Sequence, residues 1–325
     1  MPEVPAPPLE YHLIHRLGRP GVWRPIVGIS VLGILTFVVG PQLMAAPWEV
    51  WFATHGGNVP QRLADLLDTD PVSPFALGFL NVVLASAIGY AFLVTWFVHG
   101  LRPGWLASVM PRIRWRFLAA CLGLAMVALL ATLLVAVVLP SGSVDDGTDM
   151  SGQLNAFTST TRDFLLVVLF LTPFQAAGEE YLFRGYLTQA FGGIFGSRGV
   201  AVVVPAVLFA LAHAQSLTIS GDVFLGQPYP VMVDRLAFGL VAGALVILTG
   251  GLEAGIAMHV LNNFLAFGLA LAYGDMTAAL NPEGGSWWSL PSTLTQSLLY
   301  LWLATLTARR MGLRTTAEPP VLVAP

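Results

Sequence analysis

The chain contains no lysine, and all 15 of its basic residues are arginine. Charge of either sign is scarce, at 10% of residues, against about a quarter in a soluble domain. That excludes a soluble fold, because there is too little polar surface to cover 325 residues. Cysteine is limited to Cys121, so no intramolecular disulfide can form and the redox compartment is not readable. The net charge of −3 leaves no basic face for nucleic acid. Residues 1–25 hold several prolines and no short apolar core, so they do not read as a cleavable signal. The metalloprotease pattern H-E-x-x-H and the nucleophile elbow G-x-S-x-G are both missing. Arginine without lysine, beside abundant Ala, Val, Gly and Pro, reads as GC-rich coding and points to a bacterial source.

What is present is apolar: 56% hydrophobic residues and a mean hydropathy of +0.74. A bilayer core needs about 20 apolar residues per helix. On that rule the chain predicts an all-α polytopic membrane protein with eight spans near 26–46, 73–98, 117–139, 163–186, 201–218, 235–249, 252–273 and 290–308. With both termini cytoplasmic, twelve arginines fall inside and only Arg62, Arg162 and Arg235 fall outside. The opposite loops are acidic, carrying Asp65, Asp68 and Asp70, then Asp145, Asp146 and Asp149. The expected organisation is a cytoplasmic tail (1–25), three scaffold helices (26–150), a catalytic membrane core (151–275), and a last helix with a cytoplasmic tail (276–325). The expected location is the bacterial plasma membrane, with the lipid bilayer as partner.

Ionisable groups are expensive in hydrocarbon and mark function by default. The first three spans hold none in their interiors, whereas spans four, five and seven hold nearly all. Glu179 and Glu180 are adjacent, about 100° apart on a helix. Glu180 stands four residues before Arg184, the favourable order for an ion pair. Glu179 has no such partner and is free to face a cavity as a general base. Phe209 and His213 share one face of span five, as do His259 and Asn263 in span seven, both at i,i+4. Taking Pro205 and Gly251 as helix starts, both histidines lie about 12 Å in. Pro173 predicts a kink in span four. Glu253 reads as an acid suited to a helix N-terminus. Together Glu, His, His and Asn can activate water and stabilise an oxyanion. The same Glu179, His213 and His259 can also hold zinc.

The spacing Glu179-Glu180-Tyr-Leu-Phe-Arg184, followed by Phe209…His213, Phe238-Gly239…Gly243 and His259…Asn263, resembles the CPBP family of intramembrane endopeptidases, also called the CAAX protease or Abi family. The resemblance covers roughly residues 160–270. It implies a peptidase acting on membrane proteins or peptides. It assigns Glu179 and His213 to water activation and His259 and Asn263 to transition-state or metal contacts, with Glu180, Arg184 and Phe209 supporting. A metalloprotease with zinc on Glu179, His213 and His259 is the alternative chemistry. A non-proteolytic immunity or scaffold protein of the same family, or a proton relay or transporter, are the alternative functions.

Overall fold

The computed structural model describes residues 8–138, 153–214, 219–220, 223–224, 226–281 and 286–317. Asp145, Asp146 and Asp149, and the end of the fifth expected span at 215–218, lie outside the described residues.

Eight helical rods follow the apolar segments: α1 (Trp23–His55), α2 (Pro74–His99), α3 (Trp115–Val138), α4 (Ser159–Phe195), α5 (Arg198–Leu211), α6 (Tyr229–Thr249), α7 (Glu253–Tyr273) and α8 (Ser289–Arg310). Six are long and apolar enough to cross a membrane. α5 is apolar but shorter, and α8 carries Ser, Thr and Gln through its length. Large apolar side chains such as Phe37, Trp96, Leu134 and Phe170 stay exposed along the rods. That is the pattern expected where hydrocarbon replaces water as the solvent.

The rods bury their small and polar residues against one another. α5 packs along α6 because Gly239 and Gly243 bear no side chain. A Cβ on Gly239 would stand 3.0 Å from Ala206, and one on Gly243 would stand 2.9 Å from Val202. Small residues of this kind let helix backbones approach in a membrane. The expected kink in α4 falls at Leu171, where φ is −107°. Pro173 then occupies the first turn of the Thr172–Glu180 segment, where its missing N–H costs nothing. The hydroxyl of Thr172 accepts the Asn81 amide at 3.0 Å.

Three expectations are corrected. α5 begins at Arg198, capped by the Ser197 hydroxyl, and Pro205 lies within it; Pro205 is therefore not a helix start. α6 begins at Tyr229, six residues before the expected start at 235, so Arg235 lies in its second turn. The N-terminal segment is also not a tail throughout. Leu9–Glu10 (β1) pairs antiparallel with Thr316–Ala317 (β2). The 3₁₀ turn Tyr11–Leu17 buries Tyr11 and Ile14 completely. The Tyr11 hydroxyl donates to the Leu106 carbonyl. Gly192 makes room for the turn, since a Cβ there would meet the His12 carbonyl at 2.1 Å.

A second set of contacts fixes the start of α7. Arg114 and Glu253 form a bidentate pair, with Nε to Oε1 at 2.8 Å and Nη2 to Oε2 at 2.6 Å, while Nη1 donates to the Thr249 carbonyl. Glu253 is fully buried. It does sit in the first turn of α7, but its partner is a side chain 139 residues away. Gly251 must lack a side chain, because its Cβ would stand 2.5 Å from Arg114 and 2.6 Å from Glu253.

Candidate active site

The site is built where the Thr172–Glu180 segment of α4 passes into a π-helical turn, Tyr181–Leu187. Such turns occur mostly as single bulges at functional sites, and every residue of this one is buried. Gly178 lets α2 lie directly against this segment, since its Cβ would meet the Leu84 carbonyl at 2.2 Å.

Glu180 points into the bundle and is fully buried. Its Oε1 accepts Arg184 Nη1 at 3.0 Å, as the i,i+4 spacing predicts. The same oxygen also meets His259 Nδ1 at 3.0 Å. A carboxylate can only accept, so the proton of that bond sits on Nδ1. Gly255 of α7 leaves space for the other carboxylate oxygen: a Cβ there would stand 2.7 Å from Oε2.

Glu179 lies on the opposite side of the same imidazole. Its Oε2 is 3.4 Å from His259 Nε2, longer than the usual N–H···O range of about 2.7–3.2 Å. That oxygen is buried and has no hydrogen-bond partner among the described residues. His259 therefore stands between two carboxylates, bonded to Glu180 and facing Glu179 across a slightly open gap. His259 thus adjoins Glu179 in the fold, a neighbour that the sequence reading, which joined Glu179 with His213, did not include.

Aromatic rings close the other side. Phe209 lies 4.1 Å beneath the Arg184 guanidinium, and Phe238 lies 5.6 Å from it. Cation–π contacts of this kind are worth about 2 kcal/mol when desolvated. They help hold an arginine whose Nε and Nη2 lack partners among the described residues. The Phe209 ring also meets His213 at 4.7 Å and His259 at 6.0 Å, and Phe238 meets His259 at 5.1 Å. His213 follows the last turn of α5 and is half-buried. Its Nδ1 is 2.8 Å from the Phe209 carbonyl. A carbonyl only accepts, so Nδ1 carries the proton and Nε2 is left as an acceptor.

Asn263, one turn beyond His259, donates to Gln175 at 3.0 Å. Asn262 turns away and accepts from Gln296 of α8. Gln175 stands four residues before Glu179, so two i,i+4 pairs face each other across α4 and α7. Sequence reasoning missed Gln175, although that spacing marks it. It also missed Arg235, whose charge acts on both Glu179 and His213 and which precedes Phe238 by three residues.

The zinc set does not assemble in this geometry. Among the described residues, no three His, Cys, Asp or Glu side chains converge as a metal-binding group. The Phe209 ring lies against both histidines, His213 Nδ1 is bonded to a backbone carbonyl, and the two nitrogens of His259 face different acids.

Residues 161–265 match the family model described as type II CAAX prenyl endopeptidase Rce1-like. No curated protein and no solved structure matches the chain. The matched segment runs from the first turn of α4 into α7. It contains Glu179, Glu180, Arg184, Phe209, His213, His259 and Asn263, and leaves α1–α3 and α8 outside.

Proposed function

We propose that the chain is an intramembrane endopeptidase of the CPBP, or CAAX protease, family that hydrolyses membrane-associated proteins or peptides with an activated water, a reading supported by the match of residues 161–265 to the type II CAAX prenyl endopeptidase Rce1-like model. The observation that carries this reading is the buried, unpartnered Oε2 of Glu179 facing His259 Nε2. An acid with a spare oxygen at that place is a base in reach of a water.

In the proposed reaction, Glu179 takes one proton from water, with His213 Nε2 accepting from the same molecule. The water oxygen attacks the scissile carbonyl carbon. The developing oxyanion is met by the second amide hydrogen of Asn263 Nδ2, the first being used on Gln175; His259 Nε2, unprotonated in the tautomer that Glu180 sets, faces Glu179 Oε2 and accepts from that carboxyl while it holds the proton. The proton held by Glu179 then passes to the leaving amine as the C–N bond breaks. Glu180 and Arg184 are positioning residues: through the Nδ1 bond they fix the tautomer and angle of His259. Gln175 does the same for Asn263. No step is routed through a metal.

Terminal proteomics of membranes containing the parent chain or the Glu179→Ala variant tests the reading. The expected result is a set of new protein termini produced by the parent and absent from the variant, with equal membrane insertion of both. Loss of a general base lowers rate by about 10²–10⁴-fold. Identical termini in the two membranes would overturn the assignment.

A further inference from the structure

A cavity lies apart from the catalytic residues, at the ends of α2 and α4 beside Arg16 and Arg19. Its volume is about 250 Å³, and His15, Arg16, Arg19 and His99 are among its walls. No acidic side chain is among the described residues lining it.

The cavity is built from the ends of two helices. α2 ends at Gly100 (φ 66°) and α4 at Gly196 (φ 68°), both left-handed. Each glycine seats an arginine: a Cβ on Gly100 would stand 2.9 Å from Arg19 Nε, and one on Gly196 would stand 3.0 Å from Arg16 Nη2. Arg19 Nη1 donates to the Phe97 carbonyl at 3.1 Å, and Arg16 Nε donates to the Gly193 carbonyl at 2.9 Å. One bond anchors each guanidinium, which has five N–H donors in all.

Between the arginines lies a pair of stacked imidazoles, His15 on His99 at 3.9 Å. His99 is satisfied by the Tyr186 hydroxyl at 2.8 Å. His15 is only 4% exposed, and neither of its ring nitrogens has a partner among the described residues. A buried imidazole without a partner is costly unless something supplies one. Beside the cavity, Trp23, Ile26, Trp96 and Phe97 are each more than half exposed. Trp23 and Ile26 directly follow the lining residues Val22 and Pro25, and Trp96 and Phe97 lie in the last turn of α2 before the lining residue His99, the Phe97 carbonyl holding Arg19, so exposed apolar surface adjoins a polar, cationic pocket.

The geometry points to a binding site for an anionic phospholipid: the phosphodiester headgroup enters the cavity between Arg16, Arg19 and His15, and an acyl chain lies along Trp23, Ile26, Trp96 and Phe97. Two arginine forks suit phosphate oxygens. The cavity has room for a headgroup but not for tails, and the wall beside it is the surface that would face them.

The full chain is purified in detergent and offered phosphatidylglycerol or phosphatidylcholine, with native mass spectrometry as the readout. A second arm offers inorganic phosphate with no lipid. The parent is expected to retain phosphatidylglycerol selectively. The variant R16Q/R19Q is expected to retain it about thirtyfold less well, the loss carried by two arginines near a membrane surface. R16K/R19K, which keeps the charge but loses the forks, should fall between the parent and R16Q/R19Q. R309Q/R310Q, which removes two exposed arginines elsewhere, should retain the lipid as the parent does. Equal retention by R16Q/R19Q overturns the proposal, as does equal loss in R309Q/R310Q. Binding of inorganic phosphate without preference for the lipid overturns the lipid as occupant. Should R16Q/R19Q fail to fold, Ile26→Asp, at the exposed wall, gives the parallel reading: it is expected to weaken lipid retention and leave phosphate binding unchanged, and unaltered lipid retention refutes the site.

Discussion

Gly255→Ala is the smallest change that separates positioning from chemistry in this site. The added Cβ would stand 2.7 Å from Glu180 Oε2, where ordinary contact begins at 3.4 Å. The carboxylate must then yield by about 0.7 Å, the difference between those two distances. Glu180 is fully buried and tied to Arg184 through the same group, so it cannot swing into open space. A shift of that size, if carried along the bond from Oε1, would stretch the 3.0 Å contact with His259 Nδ1 to as much as about 3.7 Å, which is no longer a hydrogen bond. His259 loses its orienting contact, while Glu179, His213 and Asn263 are untouched. A misplacement near 1 Å costs about a hundredfold in rate. Overpacking costs about 1–3 kcal/mol, and alanine's gain over glycine in a helix offsets about 0.5–1 kcal/mol of that. The expected outcome is a folded protein, destabilised by at most about 2.5 kcal/mol, that cleaves its substrate about a hundredfold more slowly in proteoliposomes. Gly268→Ala on the same helix is the control. Nothing lies within 4 Å of its Cβ position, so activity should match the parent. If Gly255→Ala cleaves within about threefold of the parent, the reasoning that Glu180 sets the angle of His259 is wrong.

Asn263→Ala should lower turnover by about 10²–10³-fold, the cost of one oxyanion donor, whereas Asn262→Ala, whose partner is Gln296, should change it little; single-turnover rates distinguish the two. Arg114→Gln leaves the buried Glu253 carboxylate without its charge partner, and a denaturant titration should show about 3–5 kcal/mol of destabilisation. Docking of the N-terminal turn should loosen in acid. Burial holds His12 and His15 below the ordinary histidine value, and Arg198 holds Glu10 below the usual carboxylate value. All three folded values are depressed, so their contribution is complete above about pH 6.5, the free histidine value, and is lost as pH falls through the folded values. Hydrogen exchange in residues 8–17, corrected for intrinsic rate, should therefore be faster at pH 5.5 than at pH 7.5; equal protection would refute this.

The helices themselves were legible because hydropathy over some 20 residues is a local property. So was the Glu180–Arg184 pair, which depends on a four-residue spacing within one helix. That His259 and Asn263 share one helix was legible for the same reason. The bridging of both acids by His259 was not, since it depends on how α7 rotates against α4, 79 residues apart in the chain. The Arg114–Glu253 pair was hidden more deeply. Arg114 stands among Arg112 and Arg116, where each arginine reads as an orientation charge, and burial of one of three cannot be told from sequence. The start of α5 was misread because Pro205 looks like a boundary. A proline inside a membrane helix is tolerated when neighbouring groups meet the freed carbonyl.

The pairing of Leu9–Glu10 with Thr316–Ala317 turns a linear chain into a loop closed on itself. Almost the whole sequence lies between the paired residues, so the entropy of closure is repaid only after the helices have already brought the ends together. The small two-stranded ladder is thus a seal that forms late, and its protection against exchange reports completed assembly. Leu9 and Ala317 are partners in the ladder, so a group attached at one of these residues starts beside a group attached at the other. A chain cut within a surface loop and rejoined directly between Leu9 and Ala317 needs only a short bridge to reproduce the same bundle.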